Sequence, residues 1–167
     1  MQRKNASFSV ISEHNILTEL YFRCGLEISE NWVKESGVFF SEALFFKAVS
    51  DEEKSCDTCK NDIESLIGAY SLSRRHGVTV LDYIAVKKDH RNGGVGTILL
   101  DGVKEKCEAL GIGKIYLTAK AGGFFLKNGA RELSEEMPLY GMLLGECALC
   151  DQRGRDCFPS VMTINIK

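Results

Sequence analysis

Apolar positions along the chain change their period several times, and each change marks a new element. Between Glu13 and Cys24, the residues Ile16, Leu17, Leu20 and Tyr21 recur at helical spacing and predict a helix. Glu30 to Ser36 adds a short second helix before Gly37. VFFSEALFFKAV (38–49) and IESLIGAYSLS (63–73) then read as strands of a hairpin whose tip is the polar stretch SDEEKSCDTCKND. A third strand, VTVLDYIAV (78–86), follows across the turn from Arg74 to Gly77. From Val95 the apolar residues Leu99, Val103, Cys107 and Leu110 recur at steps of four, four, four and three. Gly111 stands where a helix-ending glycine belongs, so 95–110 is an amphipathic helix. The remainder reads as a strand KIYLTA (114–119), a short helix around GGFFLKNGA (122–130), and two strands, LYGMLLGE (139–146) and SVMTINIK (160–167).

With no repeat, low-complexity tract or linker, the 167 residues are expected to form one domain, 1–167. A chain of that length buries roughly two thirds of its unfolded surface without staples. The 23 acidic and 21 basic residues are interspersed, with a net charge of −2 and no basic run, so nucleic acid is not an expected partner. No apolar run approaches the ~18 residues that cross a bilayer, and the first residues hold no apolar stretch of signal-peptide length. A membrane partner is therefore not expected, and the expected location is the cytoplasm. Seven cysteines, an odd number, point to thiols or metal ligands in a reducing compartment.

The helix at 95 is entered through KKDHRNGGVG, which joins two strands in a βαβ unit. Glycines there allow positive φ and leave backbone N–H groups free to converge on an anion at a helix N-terminus; the plainer alternative is a tight turn. A triphosphate-binding loop would need Lys-Ser/Thr after its last glycine, but Thr97-Ile98 follows Gly96. A dinucleotide fingerprint beginning at Gly94 would need glycine at 99, which is Leu99.

Arg91-Asn92-Gly93-Gly94-Val95-Gly96 resembles instead the Arg/Gln-x-x-Gly-x-Gly/Ala loop of the GNAT superfamily of acyl-CoA-dependent N-acyltransferases. The flanks resemble it too: Val86 lies five residues before the arginine, and AGGFFLKNGA (121–130) is similar to the segment after that family's fifth strand. The resemblance implies an α/β fold: a mixed, mostly antiparallel sheet of six or seven strands, with a parallel βαβ core, flanked by helices. It implies acetyl-CoA as cosubstrate, a primary amine as acceptor and a possible homodimer. Carried over by residue, it implies that the backbone of Arg91, Asn92, Gly93, Gly94, Val95, Gly96 and Thr97 holds the CoA pyrophosphate. Ala85 and Val86 would lie where the fourth strand splays from the fifth and pair with the pantetheine arm and thioester carbonyl.

Direct transfer to an amine also needs a proton for the departing thiolate. Here Phe125 stands, within the CoA-binding segment, where the family often has a tyrosine donor. An alkyl thiol has a pKa near ~8.5, so water could serve; Tyr140, on the predicted late strand, is a candidate substitute. Asp82, four residues before Val86 and so on the same strand face, is the candidate base, with Glu42 and Glu146 as unranked options. His14, His76 and His90 fall at loop or helix boundaries and read as solvated.

Two Cys-x-x-Cys knuckles, Cys56–Cys59 and Cys147–Cys150, could together supply a tetrahedral zinc site, with Cys157 as an alternative ligand. Unbridged or disulfide-forming thiols, or a redox role, are the other readings. Cys24 and Cys107 lie on apolar helix faces and read as core. The resemblance implies an acceptor pocket between 25–31 and 147–160, where Glu27 and Glu30 could attract a cationic amine. Two functions follow: an N-acetyltransferase acting by direct attack, or an acyl-CoA-binding module with a thiol or zinc site and little turnover.

Overall fold

The computed structural model describes residues 6–12, 14–26, 28, 31–46, 63–145, 147–148 and 150–166. In chain order these form β1 (Ala6–Val10), α1 (Asn15–Arg23), α2 (Trp32–Glu35), β2 (Val38–Phe46), β3 (Leu66–Arg75) and β4 (Val78–Val86). There follow α3 (Val95–Ala109), β5 (Lys114–Ala119), α4 (Gly122–Lys127), β6 (Arg131–Glu132), α5 (Pro138–Gly145) and β7 (Ser160–Asn165). The strands make one seven-stranded sheet in the order β1-β2-β3-β4-β5-β7-β6. Every neighbouring pair is antiparallel except β4 and β5, which α3 connects in parallel. The mixed sheet with its parallel βαβ core is the expected fold.

Burial explains the central strands. Leu66 to Ser73 of β3 are all buried, as a strand covered on both faces requires. His76 (φ 51°) and Gly77 (φ 77°) turn β3 into β4 with two residues of positive φ, the geometry that matches strand twist. Leu99, Leu100, Val103 and Cys107 of α3 are fully buried against one face of the sheet, joined there by Phe125 of α4. The helix ends as its glycine predicts: Gly111 (φ 68°) donates to Glu108 O, and Ile112 donates to Cys107 O. The opposite face carries α1 and α2 through Leu17, Leu20, Tyr21 and Trp32. Farther along it, Leu143 of α5 packs on Val80 and Val161.

Three expectations need correction. The run 139–146 is not a strand but α5, with Pro138 at its first turn, where a missing N–H costs nothing. The strand that pairs with β7 is instead the two-residue β6, so the segment bearing Cys147 and Cys150 links a helix to β7. Tyr140 accordingly sits on a helix.

Asp82 does not share a face with Val86. The β3–β4 register passes from Tyr83 opposite Ser71 to Leu81 opposite Leu72, so Asp82 is the extra residue of a β-bulge. The bulge resets the alternation: Leu81, Ile84 and Val86 pack toward α3, whereas Tyr83 and Ala85 pack toward α1. Asp82 sits on the α1 side, close enough for its charge to act on Tyr21.

Candidate active site

The parallel strands β4 and β5 share a single register pair, Val80 with Tyr116. Beyond it they diverge, and the gap opens into a cavity of about 540 Å³. Its walls include Ile84, Ala85 and Val86 of β4, Arg91, Asn92, Gly94, Gly96 and Thr97 of the glycine-rich loop, and Phe124 and Phe125 of α4. Local backbone chemistry makes this loop. Lys88–His90 form a 3-10 turn, Arg91 is extended (φ −72°, ψ 161°), and Asn92 (φ 63°) and Gly94 (φ 79°) are left-handed. Asparagine is among the few side-chain-bearing residues that adopt this region readily. Gly94 starts α3, and no side chain caps that end among the described residues, so its first-turn N–H groups face the loop.

Lys87 N–H bonds to Ile67 O of β3 at 2.8 Å. By the alternation of a strand, the N–H and C=O of Val86 therefore point the other way, into the gap. Its carbonyl is met there by Arg91 Nε at 3.0 Å and by the Cys24 thiol at 3.5 Å. Cys24 is thus half-buried in the cavity wall rather than in the core, a correction; it caps the end of α1 and turns inward. Cys107 does lie in the core, fully buried, and burial pushes its thiol up to about 11. Phe124, which sequence reasoning passed over, covers Gly96: a Cβ there would stand 3.2 Å from its ring. Phe125 is buried against the α3 side, edge-on to Phe124 at 5.0 Å.

A second cavity, of about 350 Å³, shares Leu26 with the first. It is lined by Asp82, Arg75, Tyr83, Thr118, Lys120 and Gln152, and by Cys147, Cys150 and Cys157. Asp82 is nearly buried, and its Oδ1 takes a hydrogen bond from Arg75 Nη2 at 2.5 Å. Tyr83 stacks on Tyr21 at 5.0 Å, and Trp32 meets both edge-on, which gives this side a rigid aromatic floor. Gln152 bridges the mouth, accepting from Lys120 Nζ at 2.5 Å and donating to Gly25 O at 3.4 Å.

The other candidates lie elsewhere. Tyr140 lines a separate hollow and donates to Glu135 at 3.4 Å; partial burial and that carboxylate raise its phenol. Glu42 accepts from Tyr70 at 2.6 Å and lines neither cavity. The three histidines line neither one either. Cys56, Cys59, Glu27, Glu30 and Glu146 fall outside the described residues. The zinc expectation finds no support: among the described residues, no group of three or more His, Cys, Asp or Glu side chains is placed to hold a metal ion.

A model of the Acetyltransferase (GNAT) family matches residues 16–130, more than half of the chain and the whole glycine-rich loop. The chain belongs to that family. As a GNAT acetyltransferase it is an acyltransferase, and solved members of known fold superpose on it. A GNAT family acetyltransferase from Elizabethkingia anophelis with acetyl-CoA bound is 16% identical, with a TM-score of 0.63, over 98% of this chain and 99% of that one. The IAA acetyltransferase from Bacillus cereus gives 15%, 0.64, 96% and 99%. N-acetylglutamate synthase from Neisseria gonorrhoeae, complexed with coenzyme A and N-acetyl-glutamate, gives 15% and 0.66 over 99% of this chain. This chain spans 36% of that synthase's length. At such identities the likeness is one of fold. No helix among the described residues is long and apolar enough to cross a membrane.

Proposed function

We propose that this acetyltransferase moves the acetyl group of acetyl-CoA to a primary amine by direct attack. The observation that carries this reading is the cavity walled by the glycine-rich loop and the end of β4, which shares Leu26 with a second cavity walled by Asp82. In this reading the loop N–H groups from Arg91 to Thr97, with the α3 N-terminus behind them, hold the pyrophosphate. The pantetheine arm enters the gap, and Val86 N–H donates to the thioester oxygen as it gains charge. The amine arrives from the second cavity, where Asp82 attracts its ammonium form and passes the proton to solvent. The free amine then adds to the carbonyl carbon, its nitrogen gives up a second proton to water, the C–S bond breaks, and water returns a proton to the departing thiolate, leaving a neutral amide and the CoA thiol.

One observation favours a second reading, a module that binds acetyl-CoA with little turnover. Among the described residues the first cavity's lining holds no tyrosine, and Phe125 has no proton to give. Calorimetry and kinetics separate the two. Wild type should bind acetyl-CoA, and Gly96→Trp, whose backbone is already helical, should fill the cavity and lose that binding. Spermidine, tyramine, lysine and glutamate would then be tried as acceptors while CoA thiol release is followed. Binding with no release above the water rate supports the module, and no binding at all removes both readings.

A further inference from the structure

Three cysteines outside the proposed chemistry line the second cavity together: Cys147, Cys150 and Cys157. All three are half-buried thiols. The family match ends at residue 130, so this segment is not part of the matched region. Its backbone is tightly folded. Cys150 N–H bonds to Cys147 O at 3.2 Å, closing a four-residue turn. The ends of such a turn lie within about 7 Å of each other, which is the reach of a disulfide between Cα atoms. Arg153 N–H then bonds to Cys150 O, Cys157 N–H bonds to Gln152 O, and Gly154 N–H bonds to Cys157 O, so the segment folds back and brings the third thiol to the same wall.

We propose that Cys147 and Cys150 are a thiol–disulfide exchange site, and that closing their bond alters use of the acceptor cavity. The co-reactant is a low-molecular-weight disulfide. One thiolate of the pair attacks a sulfur of that disulfide, forming a mixed disulfide and expelling the first small thiolate. The second cysteine, deprotonated, attacks the mixed disulfide, closes the Cys147–Cys150 bond and expels the second. Two electrons pass from the pair to the small disulfide, and the two protons end on its thiols. The effect on the cavity is direct. The turn carries two of its lining residues, and two positions later Gln152 spans its mouth between Lys120 and Gly25. The consequence for catalysis rests on the transferase reading; the exchange site does not.

The test is incubation of the full chain with oxidised glutathione, followed by intact mass, peptide mapping, and initial rates with the best amine of the panel above. Calorimetry with acetyl-CoA serves as control, since none of the three thiols lines the first cavity. The expected result is a loss of two hydrogens mapped to Cys147–Cys150, reversed by dithiothreitol. Acceptor KM should change several-fold while acetyl-CoA affinity is unchanged. In Cys150→Ser, which cannot close this bond, the loss of two hydrogens should be absent. A pair that stays reduced in excess oxidised glutathione overturns the proposal, as does a bond mapped elsewhere, or a closed pair that leaves the acceptor kinetics unmoved. A protein that forms the mapped bond and binds acetyl-CoA but transfers to no amine removes the transferase reading and leaves the exchange site standing on its bond.

Discussion

At Gly68 a single hydrogen lets two strands lie together. A Cβ there would stand 2.6 Å from Ala85 O and 2.9 Å from Leu99 Cδ1, and the first of these is backbone that cannot rotate away. Gly68→Ala should therefore destabilise the fold by about 1–3 kcal/mol, the usual cost of overpacking. It should appear as a lower urea midpoint at unchanged slope. Nothing in IESLIGAYSLS marks this glycine, because the obstacle comes from residues 17 and 31 positions away. The loop glycines were legible for the opposite reason: their task is local, and Gly93, Gly94 and Gly96 state it within four residues. Cys24 and Cys107 make the same contrast, since both sit on apolar helix faces and only the tertiary fold tells them apart. Iodoacetamide at pH 8 should modify Cys24 and spare Cys107, and saturating acetyl-CoA should slow the Cys24 reaction at least several-fold. Equal labelling of both sites would contradict the placement of Cys24 in the cavity wall.

Among elements, those with a clear period were legible to the residue or nearly so. β4 and β5 fall where alternation put them, and α3 ends one residue short of the predicted boundary. The error at α5 has a definite cause. LYGMLLG is apolar throughout, so it carries no stripe to give a helical period, and a run of that length suits a buried strand equally well. Pro138, just outside the run, was the deciding signal, since its fixed φ suits a first helical turn. β6 has two residues and β1 five, too few for alternation to register. The helical assignment makes a prediction that a strand would not. Gly141 lies inside α5, exposed, with open space where a Cβ would go. Gly141→Ala should stabilise the protein by about 0.5–1 kcal/mol, seen as a higher Tm.

For the molecule as a whole, buried acids set the alkaline limit. Burial raises the Cys107 thiol from its ordinary 9.0 to about 11. Burial also pushes the Tyr21 and Tyr70 phenols well up, Tyr70 further through its hydrogen bond to Glu42. The unfolded chain gives up these protons at lower pH than the fold does. Their stabilising contribution is thus complete below pH 9 and is lost as pH rises, with Cys107 alone costing about 2–3 kcal/mol by pH 11. Urea midpoints measured from pH 7 to 11 should be flat at first and then fall, and Cys107→Ala should remove part of the slope. The single register pair between β4 and β5 has a different consequence at this scale. Along that line the sheet has two leaves, β1 to β4 and β5 with β7 and β6, which share one backbone register pair and are otherwise joined by side-chain packing under α3 and α5. A cosubstrate arm in the gap would act as a removable strand, supplying the rungs the chain itself omits. Occupancy would then be felt as stiffness: amide exchange at Val86 should slow on addition of acetyl-CoA, the outer strands should be unaffected, and the leaves should swing as one plate.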